Sequence, residues 1–242
     1  LGRIDWTRDD SGLVTAYGYD VAGRRVAITN GFGTDYASVT RSVYGGAGLL
    51  TESIDPVGRS TLFEYDGFLR RRATWLPEVD GRREALLEVY DVVGRVIART
   101  NELGQGTLYE YDPLGRLISV TNAPGLPEEG VTRYGYDEAG NRVIQEDALG
   151  RVTHYEYDAL GHRVARWLPG GERELMSYDP SGNLLLHTNF NGRVIEHRYD
   201  ALGRLTLRVE RGAPESDPPL AAFTYTATGQ RATQRDPSGD SF

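Results

Sequence analysis

The sequence predicts an all-β protein built of tandem β-hairpins, each about 21 residues long, laid side by side as an antiparallel sheet. Three observations carry this reading. A turn-like hexapeptide recurs: YDVAGR at 19–24, YDVVGR at 90–95, YDPLGR at 111–116, YDALGH at 157–162 and YDALGR at 199–204. Weaker copies are YDGFLR at 65–70, YDEAG at 136–140 and YDPSG at 178–182. The motif tyrosine falls at 19, 44, 65, 90, 111, 136, 157, 178, 199 and 225, in steps of 21 lengthened at places by four or five. Aromatic residues alternate with other types just before it.

The motif is a turn. Asp or Asn accepts backbone hydrogen bonds at a turn start, and Gly supplies the positive-φ position that other residues resist. The structural motif residues are therefore Tyr19, Asp20 and Gly23; Tyr65 and Asp66; Tyr90, Asp91 and Gly94; Tyr111, Asp112 and Gly115; Tyr136, Asp137 and Gly140; Tyr157, Asp158 and Gly161; Tyr178, Asp179 and Gly182; and Tyr199, Asp200 and Gly203. Tyr44 and Tyr225 keep the register without the Asp.

The segments between turns have six or seven residues and are rich in Thr, Val and Tyr, which favours strands over helices. Tyr17 and Tyr19 flank Gly18, Tyr109 and Tyr111 flank Glu110, Tyr134 and Tyr136 flank Gly135, and Tyr155 and Tyr157 flank Glu156. Phe63 with Tyr65 and Phe223 with Tyr225 repeat the pattern. A period of two puts the rings on one face and the Gly or Glu on the other. Thr recurs four residues before the motif tyrosine at 15, 40, 61, 107, 132 and 153. If neighbouring units pair directly, like residues meet in Tyr and Thr ladders.

A second turn lies ten residues after the position that follows the motif tyrosine, at Asn30, Asp55, Asn101, Asn122, Asp147, Asn189 and Asp236. The extra residues of the longer units follow this inner turn, as GFGTD, PEVDGR, APGLPEEG and GAPESDPP. All long loops are thus expected on one edge, with the short Tyr-Asp turns on the other. LGR at 1–3 reads as the tail of a turn and DPSGDSF at 236–242 as an inner turn. The expectation is a single array over 1–242, cut within a repeat at both ends.

Composition narrows the function. With no cysteine among 242 residues there is neither a disulfide framework nor a zinc–thiolate site. A net charge of −8 argues against nucleic-acid binding by the array. No apolar run approaches a membrane-spanning helix. The four histidines, His154, His162, His187 and His197, are the candidates for catalysis or metal ligation. His187 and His197 flank the turn NFNG and could face each other across a hairpin. Repeat position gives a simpler account: His197 occupies a ring slot and His162 the Arg slot after the turn Gly. The Asp residues stand at turn starts, in no calcium-loop spacing, and GFG at 31–33 lacks the strand–helix context of a nucleotide loop. The expectation is no enzyme, no cofactor and no metal.

The tandem unit Y-D-x-x-G-R…T-N/D-x-x-G…Y-x-Y-D resembles the RHS/YD-repeat family over the whole chain. That resemblance implies a long, curved sheet wound into a hollow shell around a polymorphic C-terminal region, often a toxin; relatives include bacterial Rhs effectors, Tc toxin cocoons, wall-associated toxins and animal teneurins. It implies a structural wall that sequesters the toxin for delivery, with adjacent repeats and the enclosed toxin of the same polypeptide as partners. Secretion-spike or chaperone proteins are further candidate partners. It also implies synthesis in a bacterial cytoplasm followed by export, by type VI secretion or to the cell surface. The family's P-x(4)-D-P-x-G-L self-cleavage segment is not matched: DPSGD at 236–240 has Asp240 in place of Leu, so no protease residue carries over. The competing reading is a cell-surface carbohydrate- or protein-binding module, which would require exposed rings at Tyr17, Tyr109, Tyr134 and Tyr155.

Overall fold

The computed structural model describes residues 5–214 and 217–236. The chain divides into two compact units, 1–115 with 120–129 and 116–119 with 130–242. The first holds ten strands: β1 (Trp6–Arg8), β2 (Val14–Tyr19), β3 (Arg25–Asn30), β4 (Ser38–Tyr44), β5 (Leu50–Ile54), β6 (Ser60–Tyr65), β7 (Arg71–Trp75), β8 (Ala85–Tyr90), β9 (Val96–Thr100) and β10 (Gly106–Tyr111). The division runs through β11 (Leu117–Asn122). The second unit holds β12 (Gly130–Tyr136), β13 (Arg142–Glu146), β14 (Val152–Tyr157), β15 (Arg163–Trp167), β16 (Arg173–Tyr178), β17 (Leu184–Thr188), β18 (Val194–Tyr199), β19 (Leu205–Glu210), β20 (Ala221–Tyr225) and β21 (Arg231–Arg235). The expected turn ends at 1–3 and 237–242 lie outside the described residues.

Each unit is an antiparallel meander in which, among the described residues, only strands adjacent in sequence touch. The repeat is a hairpin, and a meander of hairpins puts alternate turns on opposite edges. In both units the Tyr-Asp turns share one edge. The inner turns and the long loops at 31–37, 76–84, 123–129 and 211–220 share the other. Within each unit no second layer packs on the sheet among the described residues, and side chains are mostly half-buried. The most shielded are small residues between larger neighbours, Ala73, Ser119, Ala165 and Ala221, together with Tyr155.

Register corrects one expectation. Tyr17 opposes Ile28, and Ile28 in turn opposes Thr40. Like residues of successive repeats therefore stand two strands apart, and the Tyr and Thr ladders do not form as direct pairs. The cause is the period itself: each repeat contains two strands, so a copy of every residue recurs only at every second strand.

A second feature is absent from the sequence pattern. In nine hairpins, seven of them Tyr-Asp and two at Tyr44 and Tyr225, the register shifts at the motif tyrosine; in the first, Tyr19 opposes Arg25 while Gly18 opposes Ala27, leaving Val26 as the extra residue. This is a β-bulge, which bends and twists a strand locally. It also explains the Arg70–Arg71–Arg72 run. Arg70 pairs with Asp66, Arg71 lies over Phe63, and Arg72 pairs with Glu64 on the opposite face.

The turn itself is a three-residue loop closed by Gly23 N–H to the Asp20 carbonyl (2.9 Å) and Asp20 N–H to the Arg24 carbonyl (3.0 Å). Gly23 sits at φ 81°, the left-handed position that ends such loops. In YDGFLR the same position is Leu69 at φ 64°. Its side chain is exposed, so no burial offsets the steric cost. Inside the loop at 76–84, Asp80 and Gly81 have φ 49° and 74° between the bridged pair Val79 and Arg82, a small hairpin of the Asp-Gly type.

Leu69→Gly is therefore expected to stabilise the chain. Relief of the left-handed cost of about 1–2 kcal/mol outweighs the added freedom of the unfolded glycine, about 0.4–1 kcal/mol. Urea denaturation checks it: the midpoint should rise, and a fall would show that Leu69 makes a contact worth more than its strain.

Candidate functional site: the Tyr-Asp turn and the ring-bearing face

Each Tyr-Asp turn begins with a carboxylate that accepts several bonds at once. Asp66 Oδ1 accepts the Phe68 amide (2.9 Å) and the Arg70 amide (3.0 Å), and Asp66 Oδ2 accepts Arg70 Nε (2.7 Å). Asp20, Asp91 and Asp200 hold Arg24, Arg95 and Arg204 in the same way, and Asp158 holds His162. Asp137 and Asp179 hold the Asn141 and Asn183 amides. Gly94, Gly115, Gly140, Gly161, Gly182 and Gly203 each donate N–H to the carbonyl of their own Asp91, Asp112, Asp137, Asp158, Asp179 or Asp200 at 2.9–3.1 Å. The inner turns at Asp55 and Asp147 reuse the device with Arg59 and Arg151. Asn30 and Asn122, expected to start inner turns, instead end strands, where Thr15 and Thr107 donate to them at 3.3 Å. The long loops that follow them are capped from within: Glu129 accepts the Gly125 amide (2.6 Å), and Thr34 accepts the Tyr36 amide (3.3 Å) while donating to the Gly31 carbonyl (2.7 Å).

The motif tyrosine works between repeats. Tyr44 donates its hydroxyl to the Arg25 carbonyl (2.9 Å), one residue past the preceding turn's basic position. The same bond joins Tyr65 to Leu50, Tyr90 to Arg71, Tyr111 to Val96, Tyr136 to Leu117, Tyr157 to Arg142, Tyr178 to Arg163, Tyr199 to Leu184 and Tyr225 to Leu205, at 2.7–3.0 Å. The preceding turn's guanidinium lies over the same ring, 4.6–4.9 Å from its centroid, in Arg24–Tyr44, Arg70–Tyr90, Arg95–Tyr111, Arg116–Tyr136 and Arg204–Tyr225. His162 stacks on Tyr178 at 4.8 Å in that slot. Arg70 and Arg116 also reach the next motif's carbonyl, at Asp91 and Asp137 (both 3.1 Å). Asp orders Arg, Arg covers the next Tyr, and Tyr bonds back: a clasp from one repeat to the next. Each hydroxyl bond is worth about 1 kcal/mol and each exposed Arg–ring contact about 0.5–1 kcal/mol.

The motif residues thus lie in a row along one edge of each unit and do not converge on a centre. On the ring-bearing face, the titratable side chains gather in the second unit. Glu174, 14% exposed, accepts from His187 Nε2 (2.8 Å) and pairs with Arg166 Nε (3.3 Å) and Arg163 Nη2 (3.5 Å). His187 opposes Ile195, and His197 opposes Arg208. The two histidines are therefore diagonal neighbours and do not face each other as the hairpin suggested. Burial pushes the His197 imidazole below its usual range, and the Arg208 and His187 charges add to this. Among the described residues no His, Asp and Glu group is placed to hold a metal. The grouping ties β15, β16 and β17 together.

What the sequence reading missed is the bond acceptor of the clasp. It is a main-chain carbonyl owned by Arg, Leu or Val, so no residue letter marks it. The Arg at the motif's last position was visible, and its alternation with the next tyrosine was the available signal.

Two expectations follow. Tyr136→Phe should cost about 1 kcal/mol, because it removes one clasp bond from a retained ring. Tyr109→Phe should be near neutral, because that hydroxyl has no partner among the described residues. Equal costs in urea denaturation would contradict the clasp. The second concerns pH. The Arg70 side-chain bond, then the Arg70 and Phe68 amides, hold the Asp66 carboxyl below its ordinary 3.8 despite an opposing effect of burial. Asp147 and Asp200 are lowered chiefly by Arg151 and Arg204, and Asp20 and Asp55 chiefly by the amides of Arg24 and Arg59. A depressed folded-state value contributes stability above the unfolded value, which is lost as pH falls through the folded one. The denaturation midpoint should fall slightly from pH 7 to 5, because the unfolded chain protonates the histidine whose value burial depresses in the fold, His197, and should drop further below pH 4, that acid drop being smaller in Asp66→Asn.

Comparison with known proteins agrees with this architecture. The RHS repeat model matches residues 2–35, 90–125, 141–173 and 178–213, more than half of the chain. The crystal structure of TcdB2-TccC3-Cdc42 superposes with a TM-score of 0.75 at 19% identity, covering 93% of this chain and 13% of that one. TcdB2-TccC3 without its hypervariable C-terminal region gives 0.75 at 19% identity over 95% of this chain and 13% of that one. A Tc holotoxin pore of Photorhabdus luminescens gives 0.61 at 14% identity over 93% and 15%. The chain thus spans under a sixth of the length of these structures, and the likeness is one of fold. No curated protein matches it. A 21-residue hairpin period, a tyrosine bond from repeat to repeat and the family match lead to one conclusion: the chain belongs to the RHS repeat family.

Proposed function

We propose that this array is a stretch of shell wall that encloses a toxin carried C-terminally on the same polypeptide, and that its own part is containment, not catalysis. The observation that carries this is the clasp, which commits the motif's Tyr, Asp and Arg side chains to joining each repeat to the next. A wall needs that property: the tyrosine bond closes nine junctions whatever the face residues are, and at six of them an Arg or His also covers the ring. The fold relatives include one named for a hypervariable C-terminal region and one from a holotoxin pore, which supports a variable enclosed toxin. On this reading the protein is made in a bacterial cytoplasm and exported with its cargo, and a type VI secretion spike is one carrier that suits it. Its partners are the adjacent repeats and the cargo, with no nucleic acid bound by the array.

Cryo-EM of the intact polypeptide that carries this array tests the proposal. Density for the chain following the repeats should lie inside a closed β-shell, and protease should spare it until the shell unfolds. An open sheet, with that chain cut as fast as a free peptide, would overturn the wall and favour a surface-binding module.

A further inference from the structure

Two repeats carry a tryptophan eleven residues after a glutamate that precedes the motif tyrosine: Trp75 after Glu64, and Trp167 after Glu156. The register is the same in both. Leu62 opposes Trp75 and Glu64 opposes Ala73; His154 opposes Trp167 and Glu156 opposes Ala165. Each glutamate is therefore diagonal to its tryptophan, on the face away from Phe63 and Tyr155. In the first unit the carboxylate is fully used: Glu64 accepts Trp75 Nε1 (2.8 Å) and Arg72 Nη2 (2.9 Å). Arg72 reaches it as the extra residue of the bulge.

In the second unit the extra residue is Val164, and the cluster lacks its arginine. Glu156 is exposed, with no hydrogen bond or ion pair among the described residues. Trp167 Nε1 has no acceptor there, and Arg173, which opposes Trp167 from β16, forms no ion pair. Ile144, His154, Glu156 and Trp167 line a groove of about 430 Å³. It keeps the carboxylate and the indole of the first unit's cluster and puts His154 where that unit has Leu62. A guanidinium matches this set. Its planar fork suits a carboxylate, its spare N–H groups suit a neutral imidazole nitrogen, and its alkyl stem suits the Trp167 and Ile144 surfaces. Glu156 repels an anion, and an apolar ligand would strip water from the carboxylate with no bond in return.

We propose that this groove takes an arginine side chain from another polypeptide segment, with the guanidinium on Glu156 and the stem along Trp167. The occupant is a protein side chain because a protein side chain, Arg72, completes the same cluster in the first unit, and no second charged group lines the groove to hold the termini of a free amino acid. The site rests on the second unit alone and does not depend on the wall reading. The full 242-residue chain, titrated with the blocked peptide acetyl-Gly-Arg-Gly-amide, tests it, with the indole N–H signals of Trp6, Trp75 and Trp167 followed by NMR. Only the Trp167 signal should shift and saturate. Glu156→Gln, or replacement of the peptide's arginine by uncharged citrulline, should weaken binding about fivefold, the upper range for one exposed ion pair. Val164→Arg supplies the arginine from within, at a bulge position where Arg72 already stands in the first unit, so the fold is kept, and it should abolish the shift. Arg72→Val should open the first unit's site, so that Trp75 responds as well. No saturable shift at Trp167, a shift that survives Val164→Arg, or equal binding of the citrulline peptide would overturn the proposal.

Discussion

The hydrogen bond from a motif tyrosine to the main chain of the preceding repeat is the constraint on which the rest of this molecule depends. A one-layer sheet has no opposing layer to bury side chains against, and a lone hairpin is marginal in water. Stability must therefore come from junctions between repeats. The ladder of strand hydrogen bonds supplies part of it. The clasp adds directionality: the tyrosine reaches a fixed carbonyl, so a repeat shifted by one residue would lose both the bond and the guanidinium over the ring.

The same constraint explains where the chain varies. The clasp occupies one edge, so that edge tolerates exchange of Arg for His162, Asn141 or Asn183, but no insertion among the described repeats. The opposite edge accepts loops of seven to ten residues. Between the edges, face residues change freely: Tyr155, Met176 and His197 fill equivalent slots.

Much of this was legible in the sequence. The period, both turn types, the two edges and the sorting of rings to one face follow from residue spacing, because turn chemistry and strand alternation are local. The placement of His162 and His197 followed from repeat position. Features set by three-dimensional register were not legible. The bulge leaves no residue signature, since Val26 and Arg72 serve equally as the extra residue. The clasp acceptor is a carbonyl common to all residues. Asn30 and Asn122 match the inner-turn spacing but end strands, because the longer loops after them close differently.

The span of the clasp has a consequence for how the protein is made. Each clasp joins residues only 15–20 apart in sequence, so every tertiary bond of a repeat becomes available as soon as the next one leaves the ribosome. At about 5–20 residues per second, one repeat emerges every few seconds, far slower than hairpin closure in about 1–10 μs. Assembly is then paced by translation and runs from the N-terminal end. Low contact order, uncommon in all-β proteins, lets this sheet grow without waiting for distant sequence.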